Sequence, residues 1–259
     1  MISIVDLTFS YNSSPVLNGV SIQVSAGERW AIIGKNGAGK STLIRCIAGL
    51  ETARNGTLKI KNRDLSGYHP RDLAKIISYV PQARERVLPY SVFDYVMMGR
   101  FPYQGFMAMP DTADKDVVRA ALDLTDCAEL SDRLLNQLSG GELQRVLLAG
   151  AVSQQTEIML LDEPTTFLDP LHQALMHKAL DRVHREYATT MITVTHDINT
   201  ALSQSDRILA LVKGSAFYAG STDKFLGRSP GILREIFDIE FVDVELPGTN
   251  KRIVMPRTD

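Results

Sequence analysis

Cysteine is nearly absent: Cys46 and Cys127 are the only two in 259 residues, and neither has a Cys-x-x-Cys or Cys/His partner spacing. That excludes a disulfide framework and a structural thiolate metal site, and leaves reduced thiols as the expectation. No apolar run approaches the length of a membrane helix, about 18 residues or more. Met1-Ile2-Ser3 leads straight into a strand pattern and not a cleavable signal, so the chain is expected to be cytosolic and to meet a membrane only through a partner. Charge of one sign is also lacking. Lys and Arg number 28 against 30 Asp and Glu, a formal charge of −2, and no basic run is sustained. Nothing favours a nucleic-acid or lipid-headgroup surface, and no nucleic-acid partner is expected. There is no internal repeat and no low-complexity linker. What remains is an ordinary globular composition, 44% hydrophobic and 22% charged. A chain of this length can bury roughly 70–75% of its unfolded surface.

Against that background one stretch stands out, Gly34-Lys35-Asn36-Gly37-Ala38-Gly39-Lys40-Ser41-Thr42, directly after the apolar segment Trp30 to Ile33. A strand that breaks into glycines and resumes as the helical pattern Leu43, Ile44, Ile47, Ala48 is the context of a phosphate-binding loop. Glycines let successive backbone N–H groups turn inward as a concave anion site, Lys40 adds a cation, and the following helix presents its positive end. The Ser41 hydroxyl suits Mg2+, and Thr42 can donate to an α-phosphate oxygen.

Upstream, Ile2 to Phe9 and Val20 to Val24 read as strands separated by the turn-rich Asn12-Ser13-Ser14-Pro15. Tyr11, at a strand end beside Val16, is either an ordinary loop tyrosine or a ring that stacks on a base. Strands Thr57 to Ile60 and Ile76 to Val80 follow, with Pro70 opening a short helix between them. Gln82, just past the second strand, reads equally as a polar turn residue or as a group reaching Mg2+ or an attacking water. From Ala83 to about Gln155 the pattern turns helical, with a capping box at Ser91 to Asp94 and the aromatic segment Gly99-Arg100-Phe101-Pro102-Tyr103-Gln104-Gly105.

Leu138-Ser139-Gly140-Gly141-Glu142 is the second strong signal. Ser139 and Glu142 have capping-box spacing, yet two glycines in a first helical turn cost about 1 kcal/mol each relative to alanine. Bare N–H groups at a helix N-terminus, a second anion site, supply a reason. The buried-strand run Ile158-Met159-Leu160-Leu161 then ends in Asp162-Glu163-Pro164, which in a parallel sheet lies on the ligand edge. Asp162 suits a water-bridged Mg2+ and Glu163 a general base for in-line attack. An amphipathic helix from Leu171 to about Tyr187 carries His172, His177 and His184, which lack metal spacing and read as a solvated face. Strand Thr190 to Thr195 ends at His196, placed to contact a γ-phosphate or the catalytic water. Strands Arg207 to Val212 and Ala216 to Ala219, a short helix from about Thr222, and Phe241 to Leu246 with Arg252 to Met255 around the turn Pro247-Gly248-Thr249-Asn250 complete the chain.

These elements in this order resemble the nucleotide-binding subunit of an ABC transporter. Gly34 to Thr42 is similar to the Walker A loop, Gln82 to the Q-loop, Leu138 to Glu142 to the signature sequence and Ile158 to Asp162 to the Walker B strand. Glu163 matches the catalytic glutamate, Asp169 the D-loop aspartate, His196 the switch histidine and Tyr11 the adenine-stacking aromatic. The resemblance implies an α/β fold: a P-loop NTPase, RecA-like core with an antiparallel β subdomain and an inserted helical subdomain. It divides a single domain, 1–259, into a nucleotide-binding core at 1–82 and 156–225, a helical signature subdomain at 83–155 and a tail at 226–259 with a hairpin.

It further implies ATP and Mg2+ as cofactors. Glu163, His196 and Gln82 would be catalytic, and Ser41, Gln82 and Asp162 would hold the metal. The nucleotide would be bound by Tyr11, Val16, Asn36, Gly37, Ala38, Gly39, Lys40, Ser41 and Thr42. Asp169 would also bind the nucleotide, and in a head-to-tail homodimer Ser139, Gly140 and Gly141 of one copy would face the γ-phosphate held by the other copy's loop. The segment Tyr90 to Gly105, especially Val96 to Tyr103, resembles importers for iron-siderophore, haem and cobalamin, where polytopic permease subunits dock and a separate substrate-binding protein delivers ligand. The subunit would then be peripheral on the cytoplasmic face of the inner membrane. An importer for another metal or an oxyanion, a soluble ABC protein without membrane partner, and an ATP-binding clamp that does not hydrolyse are the alternatives, the last opposed by the presence of Glu163 and His196. Two positions depart from the pattern: Phe167 is bulky where a small residue is usual, and Gly150 replaces a common arginine.

Overall fold

The computed structural model describes residues 1–12, 14–82, 89–105, 109–227, 229–245 and 252–257. They form a mixed α/β architecture with two compact units, Met1–Gly67 with Ile192–Asp259, and Tyr68–Met191. The expected boundary at Ala83 and the turn Pro247 to Asn250 lie outside the described residues.

The first unit opens with β1 (Ile2–Tyr11), β2 (Ser14–Val24), β3 (Arg29–Ile33), α1 (Lys40–Ile47), β4 (Asn55–Ile60) and the short β5 (Arg63–Asp64). Strands β1, β2, β4 and β5 make an antiparallel sheet in the order β2-β1-β4-β5. Its buried face is set by a bulge. Ile4 pairs with Ile22, but Leu7 pairs with Val20, and Asp6 takes φ 53 between them. The extra residue restores the alternation, so Ile2, Ile4, Leu7 and Phe9 are all buried while Val5 is exposed. The segment read as a turn, Asn12 to Pro15, already becomes strand at Ser14, and Pro15 pairs with Ser10. Proline is tolerated there because β2 is an edge strand.

The second unit contains α2 (Pro70–Leu73), β6 (Ile77–Val80), α3 (Val92–Met98), α4 (Thr112–Leu124), α5 (Gly140–Ser153), β7 (Ile158–Asp162) and α6 (Pro170–Tyr187). Strand β8 (Thr190–Val194) starts in this unit and ends in the first. Side-chain oxygens of Ser91, Asp111, Ser139 and Asp169 accept backbone N–H bonds at the starts of α3, α4, α5 and α6. Each offsets donors that a helix start leaves without partners. The core runs through Val92 and Val96 of α3, Val118 and Leu122 of α4, and Val146 and Leu148 of α5. Strand β7 is buried along its whole length and pairs in parallel with β6.

The chain returns to the first unit with α7 (Ile198–Gln204), β9 (Arg207–Val212), β10 (Ser215–Ser221), α8 (Thr222–Leu226), α9 (Ser229–Phe237), β11 (Phe241–Glu245) and β12 (Arg252–Pro256). Strand β9 is parallel to β3 and antiparallel to β10, while β11 pairs antiparallel with β12. Ile33, Ile208, Phe225, Leu233, Ile236 and Val254 share one core, which ties the final elements to β3. Among the described residues no helix is long and apolar enough to cross a membrane.

Candidate functional site

In the first unit the end of β3 passes straight into the glycine loop. Gly34 sits at φ 150, and an added Cβ would lie 2.4 Å from the Leu211 carbonyl oxygen. Gly39, at φ 98, starts α1, and a Cβ there would meet the Val16 carbonyl oxygen at 2.9 Å. Only glycine satisfies both the backbone angle and the space at these two positions. Lys40 is 6% exposed, with its Nζ donating to the Gly34 and Lys35 carbonyls at 2.9 and 3.0 Å. The loop therefore holds its own cation at its centre. Asn36, Gly37 and Ser41 are exposed, whereas Ala38 and Thr42 are buried. The N-terminus of α1 has no acidic residue in its first turn and no side-chain cap, so its positive end is not neutralised locally.

Three further sequence candidates lie in this unit. Tyr11 is 42% exposed, its ring edge-on to Phe9 at 4.7 Å and its hydroxyl donating to Glu51 Oε1 at 2.9 Å. Burial, then the Glu51 carboxylate, pushes the phenol above its ordinary range, with Thr42 acting in the other direction. Val16 is half-buried beside Gly39. His196 is exposed just past β8, where the Thr195 N–H donates to the Ile32 carbonyl at 3.1 Å. That bond sets the histidine segment two residues from the start of the glycine loop. Helix α7 then begins at Asp197, whose carboxylate accepts from the Asn199 and Thr200 N–H groups at 2.9 and 3.2 Å.

The second unit gathers the acidic candidates. Asp162 is 7% exposed at the end of β7, and its Oδ2 accepts the Tyr79 hydroxyl at 3.2 Å. Glu163 takes a left-handed φ of 52, unusual for a residue with a side chain and of the kind found at functional sites. Its Oε2 accepts from Gln82 Nε2 at 3.1 Å and from Thr166 Oγ1 at 2.9 Å. Gln82 and Glu163, far apart in sequence, are thus brought together. At the start of α5 the capping box is complete: Ser139 N–H donates to Glu142 Oε2 at 2.8 Å and Glu142 N–H to Ser139 Oγ at 3.3 Å. Hydrogen bonds to the carboxylate from the Ser139 N–H and then the Ser139 side chain hold the Glu142 carboxyl below its ordinary range. A Cβ on Gly140 would meet open space. Asp169 caps α6 through the His172 N–H at 2.8 Å.

Several residues behave differently from their sequence reading. The three histidines of α6 do not form a solvated face. His172 is 23% exposed and its Nδ1 lies 2.9 and 3.0 Å from the two Asp169 oxygens, while His184 Nδ1 contacts the Thr189 carbonyl at 3.0 Å. Gly150 lacks a side chain because the Tyr95 ring fills that space, with Cε1 2.9 Å from where a Cβ would be. Phe167, at φ 63, is 92% exposed on the loop that carries Thr166 and Asp169.

Arg100 was not singled out from sequence. It is 7% exposed and donates to Asp114 Oδ1, the Ser153 carbonyl and Gln155 Oε1 at 2.9, 2.8 and 3.0 Å, with the Tyr103 ring 4.1 Å from its guanidinium. Tyr103 in turn donates to the Gln154 carbonyl at 2.9 Å. Tyr103 therefore anchors the 99–105 segment while remaining 39% exposed, and Phe101, 59% exposed, is the more exposed of its two rings.

A family model described as ABC transporter matches residues 17–166. Among curated relatives, the chain is 33% identical over 249 residues to an iron(3+)-hydroxamate import ATP-binding protein of Bacillus subtilis, covering 96% of this chain and 92% of that one. It is 34% identical over 257 residues to a petrobactin import ATP-binding protein of Bacillus anthracis, covering 99% and 93%. A hemin import ATP-binding protein of Streptomyces coelicolor is 35% identical over 244 residues, covering 93% and 85%. Among solved structures, an ABC transporter of metal-chelate type in an inward-facing conformation superposes with a TM-score of 0.86 at 27% identity, over 99% of this chain and 97% of that one. A dimeric ATP-binding cassette carrying ADP and Pi superposes with a TM-score of 0.75 at 27% identity, over 86% and 99%.

Proposed function

The chain belongs to the ABC transporter family, as an ATP-binding and hydrolysing subunit, and from that premise we propose that it powers the import of an iron chelate, a siderophore or haem. The ATPase reading is supported within each unit separately: the first holds a preformed phosphate loop with Lys40 at its centre, and the second a carboxylate, Glu163, oriented by Gln82 and Thr166. The ligand class rests on relatives that span nearly the whole chain and whose names specify iron-hydroxamate, petrobactin and hemin import.

In this reading Asn36 to Thr42 bind the phosphates, and Tyr11 and Val16 contact the base. Ser41, Gln82 and Asp162 would hold Mg2+; a hydroxyl, an amide oxygen and a carboxylate are the hard oxygen donors that ion takes. When bound, the metal would supply charge neutralisation at the phosphates. Glu163 removes a proton from water, the water oxygen attacks the γ-phosphorus, and the bridging oxygen leaves with ADP. His196 donates to the γ-phosphate. Two copies assemble head to tail, so that Ser139, Gly140, Gly141 and Asp169 of one face the ATP held by the other. Tyr90 to Gly105 docks a polytopic permease on the cytoplasmic face of the membrane, and a separate binding protein brings the ligand.

Uptake of labelled ferric hydroxamate by source cells, with this chain or its Glu163→Gln variant at matched expression, tests the reading. Loss of uptake in the variant is expected, together with a turnover about 10²-fold lower at unchanged ATP affinity. Near-normal turnover would remove Glu163 as the base. Unchanged uptake alongside lost turnover would move the ligand to another chelate or an oxyanion.

A further inference from the structure

The three atoms nearest to a Cβ at Gly141 all belong to His172. A Cβ built there would lie 2.1, 2.3 and 2.8 Å from Cδ2, Cγ and Cβ of His172, distances that real side chains do not reach. The imidazole of α6 therefore lies directly on the first turn of α5. Its opposite edge is bound as well, because Nδ1 contacts both oxygens of Asp169 at 2.9 and 3.0 Å. An ionised carboxylate only accepts, so Nδ1 carries the proton. The same carboxylate accepts the His172 backbone N–H at 2.8 Å, and that bond, followed by the one from the ring, holds the Asp169 carboxyl below its ordinary range. One ring thus joins the N-termini of two helices.

We infer that His172 is a positioning residue which locks the Gly140-Gly141 turn of α5 to the Asp169 cap of α6, so that both present themselves together to the nucleotide of a second copy. This rests on the dimer reading above. It also supplies a reason for Gly141 beyond a bare N–H: the glycine makes room for the ring. Gly140, with open space at its Cβ position, has no such constraint. Misplacing binding groups by about an ångström is enough to cost up to 10²-fold in a preorganised site, so the lock acts on ATP-driven assembly and not on the chemistry at Glu163.

The test uses the full chain carrying Glu163→Gln, with ATP-dependent dimerisation followed by sedimentation and stability followed by thermal unfolding. Adding His172→Ala should raise the ATP concentration for half-maximal dimerisation about tenfold. His172→Asn, whose amide N–H can still donate to Asp169, should return it to within about twofold of the parent. Gly141→Ala should lower Tm by about 5 °C through the clash with the ring. Gly141→Ala combined with His172→Ala should recover that stability while dimerisation stays weak. Coincident ATP curves for His172→Ala and the parent, no rescue by asparagine, or a double variant no more stable than Gly141→Ala would each overturn the inference alone. A Glu163→Gln parent that fails to dimerise with ATP would overturn the dimer reading and the inference with it.

Discussion

Arg100→Ala is the substitution whose cost can be worked most directly from the structure. The Arg100 side chain is 9% exposed and that of its ion-pair partner Asp114 only 13%. Alanine removes the cation but leaves the carboxylate in place, with the Ser153 carbonyl also losing its donor. Breaking a buried pair by deleting one partner costs about 3–5 kcal/mol, mostly for the stranded charge. At this chain size that corresponds to a fall in Tm of about 10 °C. The Tyr103 ring loses the cation over its face as well. Thermal and urea unfolding of Arg100→Ala, Asp114→Ala and the double variant measure it. The double variant should recover about 1–2 kcal/mol relative to Arg100→Ala, since neither charge is then left alone. A loss below about 1 kcal/mol, or strictly additive single effects, would refute the argument and make the pair an ordinary surface contact.

Three further outcomes are expected. Phe101→Ser should leave folding and isolated ATP turnover unchanged while lowering transport, whereas Tyr103→Phe should cost about 1 kcal/mol of stability through the lost bond to the Gln154 carbonyl; transport assays and unfolding curves separate the two. Glu142 has a carboxyl pKa lower in the folded chain than in the unfolded one, so it binds protons more readily when unfolded. Its stabilisation is complete above the ordinary glutamate range and is lost as pH falls through the depressed folded value, and Glu142→Gln should remove that part of the acid dependence in a pH series of unfolding midpoints. Burial pushes the Cys46 thiol up to about 12 and raises that of Cys127 as well, so neither should react with a thiol reagent at pH 8 until the chain is unfolded; rapid labelling of the native protein would contradict this.

How far the sequence carries depends on the range of the interaction. The glycine loop was legible because positive φ angles, a lysine and a strand-to-helix switch are all local. So was the start of α5, since Ser139 and Glu142 satisfy each other within one turn. Helix α7 was not legible because it is only seven residues long with Ala201 alone fully buried, and its start depends on the Asp197 cap. Helix α9 was also missed, although Ile232, Leu233, Ile236 and Phe237 follow helical spacing and pack on the Phe225 core.

By itself the sequence determined the fold class, the phosphate loop and the acidic strand end, because backbone angle, hydrophobic period and residue chemistry specify each within a few positions. Only the tertiary structure decided what those residues touch. It joined Gln82 to Glu163 across 81 positions of sequence. It made Tyr103 an anchor and left Phe101 as the more exposed ring of the segment. It set the His172 ring in the space that Gly141 leaves empty. Each of these depends on two segments distant in sequence packing within van der Waals reach, a property that no local period or spacing encodes.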